Sequence, residues 1–242
     1  MDNNRHILNS NKKSTVGSMF DNIAFRYDFL NHLLSFGIDR YWRKTAIRII
    51  SRIHTKPEMI LDVATGTGDL AIAAIKLNPV NITGIDISGK MLEAGRKKIN
   101  RRSLSDKIRL IECDSEKIIF SDDSFDVVMV AFGVRNFSDP FKGLSEMARV
   151  LRKGGIIMVL EFSKPSGLFF KQLYNFYFLR ILPVIGRFIS NSRSAYRYLP
   201  DSVMQFPDNE QFIDLLRETG FTTVNQKRLT GGVVSIYTGF KS

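Results

Sequence analysis

The chain has 242 residues and a mass of 27.6 kDa, which favours a single domain with a full hydrophobic core. Its single cysteine, Cys113, excludes an internal disulfide, and no apolar stretch is long enough to cross a bilayer. The formal net charge of +11 favours a polyanionic partner, either a nucleic acid or an anionic membrane surface, and solubility alone is the alternative explanation.

The first part of the chain predicts a polar tail followed by two helices. Residues 1–15 are expected to be disordered. Apolar residues recur at helical spacing from Ser18 to Phe36, and Asp39 is expected to cap a second, basic helix from Arg40 to Ile53. These N-terminal helices occupy residues 16–56 and precede the first strand, so they are an addition in front of the main fold.

The stretch ILDVATGTGD, residues 60–69, is the centre of the predicted fold. It predicts a buried strand from Met59 to Val63, a glycine turn, and a helix that begins near Asp69. Gly66 and Gly68 lack a Cβ, so the chain can turn sharply there and a ligand can lie against the backbone. The stretch therefore indicates a cofactor site.

A second apolar run, residues 82–87 (ITGIDI), carries Asp86 at its end. A carboxylate at the carboxyl end of the neighbouring strand is well placed to accept both hydroxyls of a ribose. The glycine turn and Asp86 together therefore predict a site for a cofactor that contains adenosine.

Two classes of cofactor fit this pattern. The spacing of Gly66, Gly68 and Asp86 also satisfies the dinucleotide-binding pattern, and such a match alone is weak. Asp62, inside the first strand, resembles the opening acid of motif I in class I methyltransferases, although Ala64 stands where that motif has its first glycine. A carboxylate attracts a cationic sulfonium and repels a pyrophosphate, so S-adenosylmethionine is favoured and a dinucleotide is the alternative.

The rest of the chain predicts alternating strands and helices, which is typical of a parallel sheet covered on both faces. A Gly154–Gly155 turn is expected before the fifth strand. The last two strands are joined by only Thr230–Gly232, so they must be antiparallel. The further predicted strands are 108–112, 125–131, 156–161, 222–229 and 233–240, and the helices are 69–77, 88–100, 139–151 and 208–219.

The alternation stops between Ser163 and Pro200, which form a predicted insertion. It combines many aromatic residues with cations and contains no acid. Such a surface suits a bilayer interface or a nucleic acid, and a packed lid over a pocket is the alternative. The cations are Lys164, Lys171, Arg180, Arg187, Arg193 and Arg197.

Three stretches resemble one enzyme family. Residues 27–42 (YDFLNHLLSFGIDRYW) and 149–163 (RVLRKGGIIMVLEFS) are similar to the two signatures of the quinone-pathway C-methyltransferases, and residues 132–136 (FGVRN) are similar to the end of their active-site strand. Asp39 stands where the family usually has His, and Lys153 where it usually has Pro. The first departure puts in doubt a catalytic role for a histidine at that position.

The resemblance implies a fold and an activity. The fold is α/β: a single Rossmann-like class I methyltransferase domain over residues 1–242, with a seven-stranded, mostly parallel sheet, helices on both faces, a terminal antiparallel hairpin and two extra N-terminal helices. The implied activity is S-adenosylmethionine-dependent methylation of a ring carbon of a polyprenylated quinol, from demethylmenaquinol to menaquinol. A benzoquinol of the ubiquinone pathway is the alternative substrate.

The candidate site residues follow from the motifs and from the chemistry of the reaction. A quinol ring carbon becomes nucleophilic when a hydroxyl ionises, and a guanidinium and an amide at a strand end can stabilise that oxyanion. We therefore expect Arg135 and Asn136 to be catalytic. The histidines show no metal spacing, so no metal is expected. The residues expected to bind the cofactor are Asp62, Gly66, Thr67, Gly68, Asp86, Asp114 and Ser115.

The expected partners are the quinol and an anionic membrane. No signal-peptide pattern opens the chain, so we expect a cytoplasmic protein that also lies peripherally on the inner face of the cell membrane. An RNA-binding protein and a dinucleotide-dependent oxidoreductase remain the alternatives from other classes. No appended RNA-binding module is present, so a nucleic-acid partner is not expected, and a homodimer is left open.

Overall fold

A computed structural model describes residues 15–22, 24–165, 172 and 193–242 of the protein. The tail predicted over residues 1–15 lies outside the described residues, apart from Thr15. Most of the predicted insertion, residues 166–171 and 173–192, also lies outside them.

The described residues form one seven-stranded sheet in the order β3-β2-β1-β4-β5-β7-β6. The first five strands are parallel, whereas β7 runs antiparallel to both β5 and β6. This confirms the predicted sheet and its terminal hairpin. The strands are β1 (Met59–Val63), β2 (Asn81–Asp86), β3 (Ile108–Glu112), β4 (Phe125–Ala131), β5 (Leu151–Phe162), β6 (Phe221–Leu229) and β7 (Val234–Lys241).

Helices cover both faces of the sheet, and hydrogen bonds from side chains fix where two of them begin. The Ser88 hydroxyl accepts from the backbone N–H of Met91 at the start of α4, and the Asp139 carboxylate accepts from that of Lys142 at the start of α5. The helices are α1 (Tyr27–Leu34), α2 (Ile38–Ile53), α3 (Asp69–Ala74), α4 (Gly89–Arg101), α5 (Pro140–Val150), α6 (Arg193–Gln205) and α7 (Glu210–Glu218), and residues 15–22 are also helical.

The core lies in two layers, one on each face of the sheet. Strand β1 is apolar along nearly its whole length and buried on both sides, as expected for a central parallel strand. Trp42 of α2 and Leu92 of α4 pack in one layer. Leu144 of α5 and Tyr237 of β7 pack in the other. The glycine turn therefore follows a strand that is packed on both faces by the core.

The N-terminal helices differ from the sequence prediction in two ways. The single helix predicted from Ser18 to Phe36 is interrupted: residues 15–22 are helical, Ala24–Arg26 form a 3-10 turn, and α1 begins at Tyr27. Apolar periodicity reports which residues are buried, but it does not report where a helix bends. The second difference concerns the start of α2.

Asp39 does not cap α2. The helix begins at Ile38 after Gly37, whose φ of 74° lies in the left-handed region. The Asp39 carboxylate is buried within the first turn. It accepts hydrogen bonds from Ser35 and Arg43 and lies 2.8 Å from Nδ1 of His32 in α1. Burial by itself would raise the pKa of Asp39, but these three contacts outweigh burial and lower the pKa. Asp39 therefore acts as a buried anionic anchor between α1 and α2.

The Gly154–Gly155 turn lies inside a strand rather than before one. Strand β5 begins at Leu151, opposite Phe125, and its pairing with β4 shifts before Ile156. A Cβ on Gly155 would stand 2.8 Å from the carbonyl oxygen of Arg152 and 2.9 Å from that of Asp126. The two glycines thus allow a bulge in an otherwise continuous strand.

The insertion predicted from the sequence does not end at Pro200, because Pro200 lies inside helix α6.

Among the helices that the structure describes, none is both long enough and apolar enough to span a bilayer.

We expect Gly155→Ala to lower the free energy of unfolding by about 1–3 kcal/mol, because its methyl group would overlap two backbone carbonyl oxygens in the bulge. Urea unfolding followed by circular dichroism measures the change. Gly17→Ala is the control for the added methyl group, since nothing lies within 4 Å of its Cβ and alanine in this helical stretch should raise stability by up to about 1 kcal/mol. An equal stability of the Gly155 variant and wild type would show that the bulge relaxes freely.

Candidate active site

A crevice opens at the carboxyl ends of β1, β2, β3 and β4, where the strand order reverses between β1 and β4. This is the position at which open α/β sheets bind ligands. Its volume is about 710 Å³ when the part open to solvent is included. The residues that line it are Val16, Phe20, Tyr27, Ala64, Gly66, Asp86, Ile87, Met91, Cys113, Asp114, Ser115, Glu116, Ala131, Phe132, Gly133, Asn136, Phe137 and Ser138.

The glycine turn forms one wall of the crevice. Gly66 and Gly68 have φ values of 57° and 81°, which explains why glycine is needed at both positions. The Asp86 carboxylate accepts from the backbone N–H of Gly66 at 2.8 Å and from that of Ser88 at 2.9 Å. Burial raises the pKa of Asp86, although both N–H groups oppose the shift. Asp86 therefore joins the turn to α4 while it faces the crevice.

Asp62 lies beneath the glycine turn and does not line the crevice. One of its oxygens accepts from the Thr65 hydroxyl at 2.5 Å and from the backbone N–H of Ala71 at 3.0 Å. The other oxygen, Oδ1, is buried without a hydrogen-bond partner. Burial raises the pKa of Asp62 to about 7 despite these hydrogen bonds. The structure thus places this predicted cofactor ligand where it shapes the turn.

Thr67 and Gly68 also lie outside the lining of the crevice. The Thr67 hydroxyl donates to Asp28 of α1 and accepts from the Lys98 ammonium at 2.9 Å. Lys98 also contacts Asp28 at 2.5 Å and Asp69 at 2.8 Å. These contacts tie the N-terminal helices to the glycine turn.

Residues 15–22 and 24–34 therefore act as a cap over the crevice, and we call them the N-terminal cap. Val16, Phe20 and Tyr27 supply part of the crevice wall. Asp21 accepts from the Ser88 hydroxyl at 2.6 Å, which fastens a second point of the cap to α4. A ligand in the crevice is thus enclosed by residues that precede the sheet in the chain.

The loop after β3 supplies further acids. Asp114 and Ser115, which the sequence predicts as cofactor contacts, both line the crevice. Glu116 lines it too, and its carboxylate accepts from the backbone N–H of Ser138 at 2.7 Å. This bond holds the loops after β3 and β4 together across the crevice.

Arg135 is paired behind the crevice wall. Its guanidinium donates to Glu161 Oε1 at 2.7 Å and to the carbonyl oxygen of Phe132 at 2.5 Å, and it lies 5.3 Å from the centre of the Phe162 ring. Glu161 is fully buried, with 0% of its surface exposed. Arg135 is not among the lining residues. The buried Glu161 carboxylate balances most of its positive charge.

Asn136 faces the crevice, and its orientation is fixed from two sides. Its Nδ2 donates to the Phe132 carbonyl oxygen at 3.2 Å, and its Oδ1 accepts from the Tyr198 hydroxyl of α6 at 3.1 Å. An amide nitrogen carries two hydrogens, so Asn136 keeps one N–H for a ligand. The structure therefore brings Asn136, but not Arg135, to the surface of the crevice.

The histidine at position 32 has unexpected neighbours. His32, Asp39 and Asp69 place ligand atoms within 4.8 Å of one another. Arg43 contacts the carboxylate of Asp39 and lies 3.6 Å from that of Asp69. Lys98 is also paired with Asp69. Because these two cations already balance the two carboxylates, we assign no metal here.

The charge of the crevice limits what can bind in it. Its described lining contains three acids, Asp86, Asp114 and Glu116, and neither lysine nor arginine. A pyrophosphate would be repelled by these carboxylates, whereas a cationic ligand with hydroxyl donors would be attracted. The lining thus favours a cation over an anionic dinucleotide.

Sequence reasoning missed several residues that the structure brings to the site. Glu161 lies within a quoted signature, but a fixed partner of Arg135 cannot be deduced from spacing. Lys98 and Asp21 carried no signal beyond their charge. Tyr198 lay in the segment treated as an insertion, and only its place in α6 shows its contact with Asn136.

Comparisons with known proteins agree with this geometry. The profile of the ubiE/COQ5 methyltransferase family matches residues 7–241. The ubiquinone/menaquinone biosynthesis C-methyltransferase UbiE of Geotalea daltonii is 50% identical over 232 residues, which are 95% of this chain and 97% of that one. The demethylmenaquinone methyltransferase of Bacteroides fragilis is 45% identical over 235 residues, which are 96% and 95% of the two chains.

Solved structures share the fold. A SAM-dependent methyltransferase from Thermotoga maritima has a TM-score of 0.65 at 18% identity and covers 94% of this chain and 100% of its own. A SAM-dependent methyltransferase from Aquifex aeolicus has a TM-score of 0.60 at 16% identity, and the match covers 81% of this chain and 89% of that one. At these identities the similarity concerns the fold alone.

The raised pKa of Asp62 predicts a pH dependence of stability. Since the pKa is about 7 in the folded protein against a usual 3.8, the folded state holds a proton that the unfolded chain releases. The free energy of unfolding should therefore fall as pH rises from about 4 to 7, by roughly 4 kcal/mol at most.

Urea unfolding at pH 4.5, 6 and 8 measures this dependence. We expect the stability of wild type relative to Asp62→Asn to fall by up to about 4 kcal/mol as pH rises, because only the wild type loses a proton from this site. Asp106→Asn, which neutralises an exposed acid, is the control. A difference between wild type and Asp62→Asn that stays constant with pH would contradict the assignment.

Proposed function

The chain belongs to the ubiE/COQ5 methyltransferase family, and on that premise we propose that it methylates a ring carbon of a polyprenylated quinol with S-adenosylmethionine. We propose demethylmenaquinol as the substrate and menaquinol as the product. The name of the Bacteroides fragilis relative supports this choice. The name of the Geotalea relative covers both quinone pathways, which supports a benzoquinol as the second candidate.

The observation that carries the proposal is the charge of the crevice. Three acids line it and no described lysine or arginine does, so its chemistry fits a sulfonium with an ammonium group and a ribose. The same lining does not fit the pyrophosphate of a dinucleotide, which counts against an oxidoreductase. When bound, S-adenosylmethionine supplies an electrophilic methyl group.

The donor would be held by residues from three strand ends. Asp86 would accept the ribose hydroxyls, Gly66 would present bare backbone, and Asp114 and Ser115 would contact the adenine. All four line the crevice. Asp62, Thr67 and Gly68 would support the site without touching the donor. They hold the shape of the glycine turn and, through the Thr67–Asp28 hydrogen bond, its contact with the N-terminal cap.

The quinol requires stabilisation of an oxyanion. A phenolic hydroxyl has a pKa near 10, so favouring its ionised form at neutral pH requires about 3 pK units, or roughly 4 kcal/mol. The free N–H of Asn136 would donate to the oxyanion, and Arg135 would contribute its charge from behind. The Glu161 carboxylate offsets part of that charge, so Asn136 is the direct contact and Arg135 the supporting one.

A quinol with a prenyl tail is delivered from a membrane. The net charge of +11 supports peripheral contact with an anionic bilayer from the cytoplasmic side. This proposal requires a surface that can meet lipid, and the crevice must open near it.

Replacement of Asp86 tests donor binding. We expect Asp86→Ala to weaken S-adenosylmethionine binding about 100-fold, because two charge-assisted hydrogen bonds to the ribose are lost. Isothermal titration calorimetry measures the dissociation constant. Asp86→Asn keeps the shape of the side chain. The control is Asp106→Ala, which removes an exposed acid. Wild-type affinity in Asp86→Ala would refute the donor site.

Replacement of Arg135 needs a paired design. Removal of Arg135 alone would leave the buried Glu161 carboxylate without its partner, which typically costs 3–5 kcal/mol of stability. We therefore combine Arg135→Met with Glu161→Gln. We expect kcat to fall roughly 10-fold, because the guanidinium that supports the oxyanion from behind Asn136 is lost. This is less than the roughly 10²–10³-fold cost of losing a direct oxyanion donor, and donor affinity should stay unchanged.

The measurement is methyl transfer to a short-chain demethylmenaquinol analogue, with donor binding followed in parallel. Arg152→Gln breaks an exposed ion pair with Asp126 at the far end of the sheet and is the control. Wild-type turnover of the Arg135→Met/Glu161→Gln enzyme would remove Arg135 from the catalytic proposal.

A further inference from the structure

We infer that the outer face of α2 is the surface by which the protein docks on an anionic lipid bilayer. The inference rests on the proposed lipid-tailed substrate and assigns the membrane contact to one helix. We call this face, together with Phe36 in the turn before the helix, the α2 surface. Its residues are Phe36, Ile38, Arg40, Tyr41, Lys44, Arg48 and Arg52.

The cations of the α2 surface form a continuous row. Arg40, Lys44, Arg48 and Arg52 recur every four residues, and all four are exposed. Their side chains make no ion pair or hydrogen bond within the described part of the chain. The acid of this helix, Asp39, is buried on the opposite side. Like charges at this spacing destabilise a helix, so the row is not explained by folding.

Apolar side chains lie beside the cations at the beginning of the helix. Phe36 is 72% exposed, Tyr41 55% and Ile38 39%. Cations next to exposed aromatic and aliphatic side chains are typical of a helix that lies in a membrane interface, where the apolar groups enter the acyl boundary and the cations meet lipid phosphates. A nucleic-acid backbone would contact the cations and leave the Ile38 side chain in water, whereas a bilayer would cover both, so the bilayer is the favoured occupant.

The beginning of α2 also lies close to the crevice. Arg43 is 3.6 Å from Asp69, the first residue after the glycine turn. The Trp42 ring packs against Phe132, which lines the crevice, with 6.0 Å between ring centres. A bilayer on the α2 surface would therefore touch the protein beside the site where the quinol ring must enter.

Vesicle sedimentation tests the inference. We expect wild type to pellet with vesicles of equal phosphatidylglycerol and phosphatidylcholine, and not with phosphatidylcholine alone. Each cation near an anionic surface raises partitioning about fivefold. Lys44→Gln/Arg48→Gln should therefore lower the partition coefficient about 25-fold, and Tyr41→Ser should lower it further. Far-ultraviolet circular dichroism verifies that the variants are folded.

The matched control removes the same charge elsewhere. Lys153→Gln/Lys227→Gln neutralises two exposed lysines, one in the β5 bulge and one on edge strand β6, and should keep most of the binding. Equal losses in the two double variants would show diffuse electrostatic attraction and would overturn the inference. It would also fail if wild type did not pellet, or if it bound single-stranded RNA while ignoring vesicles.

A second readout separates this inference from the proposed function. Methyl transfer to a short-chain, water-soluble quinol should be unchanged in Lys44→Gln/Arg48→Gln, whereas transfer to a long-chain quinol in anionic vesicles should fall in parallel with partitioning. Loss of turnover on the soluble quinol in this variant would overturn the inference. Wild type that methylates neither quinol, yet docks through α2, would refute the proposed function alone.

Discussion

The site depends on a carboxylate that the fold keeps out of water. Asp62 accepts from Thr65 and from the backbone of Ala71, so one oxygen closes the turn and joins it to α3. Its position in a central strand, buried by helices on both faces, removes the solvent that would stabilise the charge. The result is a turn of fixed shape whose exposed edge is bare backbone, with Asp86 bracing it from the next strand.

Electrostatics divide the site into two halves. The half at β1 to β3 is acidic, which suits a cationic donor. The half after β4 contains a buried ion pair, Arg135 with Glu161, behind an amide that faces the crevice. A buried pair of this kind gives little net stability, but it holds its members in one geometry. The proposed reaction needs these two environments side by side, because a cation must meet a ring that is becoming an anion.

The sequence predicted the sheet well and the site in part. Strand ends and glycines are local features, so the glycine turn, Asp86 and the hairpin could be read from short patterns. Partners distant in the chain could not, since no pattern couples Glu161 to Arg135 or Tyr198 to Asn136. Apolar periodicity also did not predict the break in the N-terminal helix, because a stripe of buried residues does not determine the direction of the helix axis.

The N-terminal cap separates two tasks of the site. The sheet and its loops present the polar groups of the crevice, while Val16, Phe20 and Tyr27 close it from a segment that precedes every strand. The cap is held by Asp21 on Ser88 and by the contacts of Lys98. Enclosure of the crevice is therefore carried by a segment outside the sheet, which is held by polar side-chain contacts rather than by strand pairing.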